Sequence, residues 1–190
     1  MLPEFKPFQK IPRWSRDIII TEKLDGTNAS IYIPEEGVVT MNSGREERLV
    51  AASRNRWIFP ENDNHGFAKW VAENQEELIK LLGPGHHFGE WWGAGIQRRY
   101  GLNEKRFSLF NVDRWKDLEV DLGLVKRVPV LYQGPNSEAA IHESLEMLRQ
   151  EGSMAARGFM QPEGIVIYHV AAQALFKKTL EGDERPKGQN

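Results

Sequence analysis

Hydrophobic residues follow two different periods along this chain. Asp17-Ile18-Ile19-Ile20 is a short β-branched run, and Ala29-Ser30-Ile31-Tyr32-Ile33 alternates polar and apolar. Both patterns predict strands. Shorter apolar runs over 38–41 and 49–53 predict two more, with Glu35-Glu36-Gly37 as a turn. The period then changes. Phe67, Trp70, Val71, Leu78, Leu81 and Leu82 fall at helical spacings and predict one helix over 64–82. Asp63 or Asn64 would cap its start, and Gly83-Pro84 would end it. Strand-like patterns return over 86–92, 107–112 and 128–132. Ile141, Leu145 and Leu148 predict a second helix over 137–150, followed by a small-residue loop over 152–157. Two last strands are expected over 164–168 and 174–178. Residues 1–16 read as an extended lead-in, and 182–190 as a polar, frayed tail.

The order is strands, helix, strands, helix, strands. That predicts an α+β fold built mainly on antiparallel sheet, because a doubly wound fold alternates its elements strictly. At 190 residues, a single domain over 1–190 is expected. The absence of cysteine excludes a disulfide framework, a thiol nucleophile and a thiolate zinc site. No run of about 18 apolar residues occurs, and the N-terminus lacks an apolar signal core. The reading is a cytoplasmic protein without membrane contact. A net charge of −2 leaves only local basic patches for meeting phosphates. The candidates are Arg45, Arg48, Arg54 and Arg56, then Arg98, Arg99, Lys105 and Arg106.

The stretch with the most chemical content is Thr21-Glu22-Lys23-Leu24-Asp25-Gly26-Thr27-Asn28, between the first two strands. Asp25-Gly26 is a strong turn signal, read here as a hairpin in which Gly supplies φ > 0. Lys23 then ends a strand and points into a cleft. An amine attacks only in its neutral form, which burial or nearby cations favour. Four other polar clusters sit at strand ends: Ser53-Arg54, Phe88-Gly89-Glu90, Phe110-Asn111-Val112, and Glu163-Gly164 with Lys177-Lys178 beyond it. A cleft between two sheets would gather all five.

Lys-x-Asp-Gly-x-Asn, Phe-Gly-Glu, Glu-Gly-Ile-Val-Ile and a lysine pair, in this order over residues 17 to 180, resemble the motif set of covalent nucleotidyltransferases. These are the ATP-dependent polynucleotide ligases and the mRNA capping enzymes. Glu22, Asn28 and Gly89-Glu90-Trp91-Trp92-Gly93 look most like the RNA ligase 2-type family. The resemblance implies a nucleotidyltransferase (ATP-grasp-like) catalytic domain that forms lysyl-AMP at Lys23 from ATP. The AMP would pass to a 5′-phosphate, which is then joined to a 3′-hydroxyl, most readily on RNA ends. Glu163 would orient Lys23 or a metal-bound water, and Lys177 would offset phosphate charge. Glu90 would accept from the ribose hydroxyls, and Phe110 would stack on adenine. The Glu22 backbone would read the adenine edge, while Arg54 and Asn28 would contact α-phosphate and ribose.

The family's Lys-x-Lys is here Lys177-Lys178-Thr179, so Lys178 or Lys187 is left to supply the second phosphate contact. The metal implied is Mg²⁺, which binds through substrate phosphates and one or two carboxylates, so no dedicated cage is expected. His86 and His87 are adjacent and on a strand face opposite ways, making a poor ligand pair. Gly93-Ala94-Gly95 opens no helix, which excludes a dinucleotide fingerprint. Family members usually carry a C-terminal OB-fold or helical domain, and none is expected in this chain. Self-adenylylation would then survive and sealing would be weak, with Arg98 and Arg99 as candidate RNA phosphate contacts. A minimal DNA ligase, or a binding module for nucleotide or nucleic-acid ends, are the alternatives. Oligomeric state is not legible.

Overall fold

The turn after Lys23 does not close a hairpin. In the computed structural model, which describes residues 2–42, 44–116 and 125–183, the strands on either side of it belong to different sheets. In chain order the strands are β1 (Asp17–Lys23), β2 (Thr27–Ile33), β3 (Val39–Thr40), β4 (Glu46–Glu47), β5 (Val50–Ser53) and β6 (Trp57–Ile58). Helices α1 (Phe67–Glu73) and α2 (Gln75–Leu82) precede β7 (Gly85–Gly93), β8 (Lys105–Leu109), β9 (Val125–Arg127) and β10 (Val130–Pro135). Helix α3 (Glu138–Glu151), β11 (Gly164–His169) and β12 (Ala174–Thr179) complete the order. One sheet runs β10-β1-β11-β12, the other β6-β5-β2-β7-β8-β9, and β3-β4 form a separate ribbon. Pairing is antiparallel except for β8 with β9.

Each large sheet has a helix-covered face. Ala29, Ile31, Trp91, Phe107 and Leu109 of the second sheet pack on Phe67 and Val71 of α1 and on Leu78 and Leu82 of α2. Ile18, Ile20, Ile165 and Ile167 of the first pack on Leu145 and Leu148 of α3. Ile19 points the other way and joins Leu24, Trp92, Tyr100, Val112 and Val128 in a third cluster between the sheets. The unbroken Ile18-Ile19-Ile20 run therefore marks a strand buried on both faces. Each such side chain contributes about 1.5–3 kcal/mol by leaving water.

The helix expected over 64–82 is two helices broken at Asn74, whose backbone lies at φ −115°, ψ 25°. The Asn74 side-chain amide donates to Trp70 O at 2.7 Å, and the Asn74 backbone amide donates to the same oxygen at 3.1 Å. Asp63 caps from outside the first turn, accepting from the Ala68 amide at 2.7 Å and the Lys69 amide at 3.0 Å. Strands β4, β6 and β9 are two or three residues long, too short to show a period. Part of the tail over 182–190, with Lys187, lies outside the described residues.

Gly26 is required by proximity, not by backbone angle. It is absent from the positive-φ residues. A Cβ there would stand 2.4 Å from Trp91 O and 2.7 Å from Trp92 Cβ. Gly26→Ala is expected to cost about 1–3 kcal/mol as the turn is pushed off β7, read as a lower urea midpoint.

Candidate active site

Because β1 and β2 lie in different sheets, Lys23 sits where the chain crosses between them. Its amine donates to Glu163 Oε2 at 2.5 Å. Glu163 is 7% exposed, so this ion pair is largely removed from water. Glu163 precedes β11, and Lys23 pairs in register with Gly164. A Cβ on Gly164 would lie 2.2 Å from Lys178 O, so only glycine lets β11 and β12 approach this closely behind the carboxylate. The crossing turn is held by residues the sequence did not single out for that task. The Tyr100 hydroxyl accepts from the Asp25 amide at 2.8 Å. Burial raises the pKa of that hydroxyl, keeping it neutral. Tyr100 lies in a loop with no periodic signal, at φ 51°.

Arg98 is also spent on this turn. It donates to Asp25 Oδ2 at 3.0 Å and to Gln161 O at 2.9 Å. Arg98, expected from the sequence to meet RNA phosphate, also braces the two loops that carry Lys23 and Glu163. Other basic candidates are engaged in the same way. Arg45 pairs with Glu47 and Glu61, Arg48 with Glu76, and Arg106 with Glu104. Arg56 donates to Asn62 O, and Lys105 to His65 O. A local count of cations cannot reveal such partners.

Glu90, Asn28, Arg54 and Phe110 come from the second sheet. Asn28 and Glu90 are direct partners across β2 and β7, so their side chains share a face. Glu90 Oε1 accepts from the Gly26 amide at 3.1 Å. Burial pushes the Glu90 pKa up to about 7, opposed by Lys23, the Gly26 hydrogen bond and Arg54, and aided by Glu163. Those influences place Lys23, Glu163, Glu90 and Arg54 within electrostatic reach of one another. Phe110 follows β8, donates its amide to Phe88 O at 2.9 Å, and is 38% exposed. Its ring is not core.

The folded protein holds the Glu90 proton to about pH 7, whereas the ordinary carboxyl releases it near 4.5. Stability from this group is therefore present at low pH and lost as pH rises between those values, by on the order of 3 kcal/mol. Glu90→Gln is expected to flatten that slope. Denaturant midpoints of both proteins across the same window check it.

Register separates the two lysines of β12. Lys177 is opposite Val166, which is opposite Thr21, two residues before Lys23. Lys177 and Lys23 thus share a face. Lys178 is opposite Ile165, on the face covered by α3. Thr179 shares the Lys177 face, but its hydroxyl donates to Glu181 O at 2.9 Å. Glu22 also points to the α3 face. Its buried carboxylate accepts from Ser153 Oγ (2.6 Å) and the amides of Met154 (2.8 Å) and Ala155 (3.0 Å). Burial raises its pKa, and those three bonds oppose the rise. Its amide donates to Pro129 O at 2.9 Å. The Glu22 side chain therefore ties the residue before the candidate nucleophile to the loop after α3, a role not evident from the sequence.

Two sheets flanked by helices, with Lys23 at the crossing between them, form the frame of this site. The fold is shared with the Naegleria gruberi RNA ligase, solved as mutants with ATP and Mn. One has a TM-score of 0.61 at 20% identity, covering 88% of this chain and 51% of that one. Another has 0.57 at 19% identity, with the same coverage. An RNA ligase family model matches residues 16–179. The chain belongs to the RNA ligase family. The UPF0201 protein MK0399 of Methanopyrus kandleri is 27% identical over 89 residues, 43% of this chain and 56% of that protein. The chain thus spans about half the length of the relatives it matches.

Proposed function

We propose that the protein is an ATP-dependent RNA ligase that works through lysyl-AMP at Lys23. The observation that carries this reading is the partly buried Lys23–Glu163 pair at the crossing between sheets. It holds one amine at the mouth of the face shared by Glu90, Asn28 and Arg54, with a carboxylate at hydrogen-bond distance to take its proton. The Lys23 amine attacks the α-phosphorus of ATP. The N–P bond forms, the bond to pyrophosphate breaks, and the amine proton passes to Glu163 or to water. A 5′-phosphate oxygen of RNA then attacks the same phosphorus, breaking the N–P bond and returning a proton to Lys23. Attack by a 3′-hydroxyl on the activated 5′-phosphorus joins the strands and releases AMP.

Lys177 faces the side of the sheet on which phosphate charge develops, and its ammonium offsets that charge. Glu90 accepts from the ribose hydroxyls, and Asn28 is next to it. Arg54 forms no ion pair among the described residues and meets the α-phosphate. Phe110 offers an exposed ring for adenine. Lys178 and the Glu22 side chain are on the far face, so Lys178 makes no direct phosphate contact and the Glu22 carboxylate braces β1, while the Glu22 backbone reads the adenine edge.

The described residues contain no group of three or more His, Asp or Glu side chains that makes a metal cage. The Glu163 carboxylate, paired with Lys23 at the mouth of the site, fits a hard cation bound mainly through substrate phosphates. Glu163 would hold Mg²⁺, which would neutralise charge on the phosphate oxygens. No helix among the described residues is long and apolar enough to cross a membrane.

The test is a sealing assay with ATP and Mg²⁺ on matched nicked substrates, one with RNA at the nick and one with DNA. Joining of the RNA nick through a 5′-adenylylated intermediate is expected. Preference for the DNA nick, or joining without ATP by protein isolated free of AMP, would overturn the reading.

A further inference from the structure

The face of the second sheet that carries Glu90 and Asn28 extends beyond them into five side chains the catalytic reading does not use. On β7, Phe88 and His86 follow Glu90 at steps of two, and on β2, Ser30 and Tyr32 follow Asn28. Trp57 of β6 is opposite Ala52, itself opposite Ser30, so it joins the same face. The rings touch. His86 is 4.1 Å from Phe88 and stacked on Trp57 at 5.8 Å, centroid to centroid. Tyr32 is 5.9 Å from His86 and 6.1 Å from Trp57. The adjacent residues on these strands, Ile31, Ile58 and His87, point to the opposite, buried face. Yet Phe88 is 50% and Trp57 43% exposed, and His86 is exposed as well. Large aromatics held by one another while open to solvent are a stacking surface, not core.

We propose that Tyr32, Trp57, His86 and Phe88 form a platform on which unpaired bases of the RNA strand stack as its end reaches Lys23. The proposal rests on the ligase reading above. Three features select a nucleic-acid strand as occupant. The platform continues the catalytic face, with His86 about 14 Å along β7 from Glu90 at the strand rise. Arg54 and Arg56 precede Trp57 in the β5–β6 turn, and although Arg56 already donates to Asn62 O, Arg54 forms no ion pair among the described residues and brings charge for a backbone beside rings for bases. His86 Nε2 is 2.9 Å from Ser30 Oγ, which fixes the imidazole plane. Burial lowers its pKa, favouring the uncharged ring. Stacking is tolerant of sequence, so the platform would favour single-stranded ends over any particular base.

The test measures binding of an unstructured 5′-phosphorylated oligoribonucleotide of about ten nucleotides by fluorescence anisotropy. The same strand annealed into continuous duplex serves as the second probe. Trp57→Ala is expected to weaken single-strand binding roughly 5- to 100-fold. His86→Ala should weaken it in the same direction, and Trp57→Phe should keep most of the affinity. Duplex binding, the rate of self-adenylylation and its ATP dependence should be unchanged, and normal adenylylation also certifies that each variant is folded. Unchanged single-strand binding in Trp57→Ala, equal losses for strand and duplex, or no single-strand binding by the wild type would overturn the platform. A raised ATP requirement would overturn it too, assigning the rings to the nucleotide. A wild type that binds RNA through Trp57 but takes no AMP would instead sink the ligase reading and leave the platform standing.

Discussion

Lys23→Ala is expected to abolish self-adenylylation, a loss on the order of 10⁴-fold or more, because a missing nucleophile has no local substitute. Lys177 is on a neighbouring strand and shares the Lys23 face, but register sets it opposite Val166, not Lys23. Lys23→Arg should fail as completely, since a guanidinium stays protonated and offers no lone pair. Both variants should fold. Lys23 is only partly buried, and its one strong partner is Glu163. In Lys23→Ala, Glu163 becomes a buried carboxylate without its counter-charge, and a stability loss of up to about 3–5 kcal/mol follows. Sealing of a pre-adenylylated RNA should survive in Lys23→Ala, because that step no longer needs the amine. Labelling with α-labelled ATP and joining of pre-adenylylated RNA, measured side by side, check both halves. Loss of both together would mean Lys23 serves the architecture and not the chemistry.

The second large effect separates adjacent residues. Lys177→Ala is expected to lower the rate of adenylylation by about 10²–10³, the usual consequence of removing one charge aimed at a developing anion. Lys178→Ala should change it little. The contrast follows from pairing alone: Lys177 stands opposite Val166 and Lys178 opposite Ile165, and those two point to opposite faces of the sheet. Neither lysine is buried, so neither substitution threatens the fold, and single-turnover rates at saturating ATP give the comparison. Equal losses at the two positions would show that general positive charge, not a directed contact, is what β12 supplies.

The sequence disclosed the parts of this site that are local. Lys23, Asp25, Gly26 and Asn28 lie within six residues, and Glu163 and Gly164 are adjacent. The strands around them were legible from β-branched runs and alternation. What it could not disclose is which strands pair. An alternating run specifies that one face is buried but not against what, so the Asp25-Gly26 turn read as a hairpin when it is a crossing between sheets. The same limit hid the Glu22 carboxylate, whose partners Ser153, Met154 and Ala155 are more than 130 residues away. The bracing role of Arg98 was hidden because its charge was visible and its partner, Asp25, was not. Choosing Lys177 over Lys178 needed the register of β12 on β11. Asn74 interrupts a helix whose apolar stripe runs on past it, through a backbone turned to φ −115°, ψ 25° that no periodicity of apolar residues announces.

The most direct test of the central claim is the intact mass of the wild-type protein, taken before and after incubation with ATP and Mg²⁺ and followed by peptide mapping. The lysyl-AMP reading requires a gain of one AMP moiety, carried on the peptide that contains Lys23 and removed again by pyrophosphate. An unmodified mass in protein isolated free of AMP, or an adduct mapped to any other residue, would contradict it.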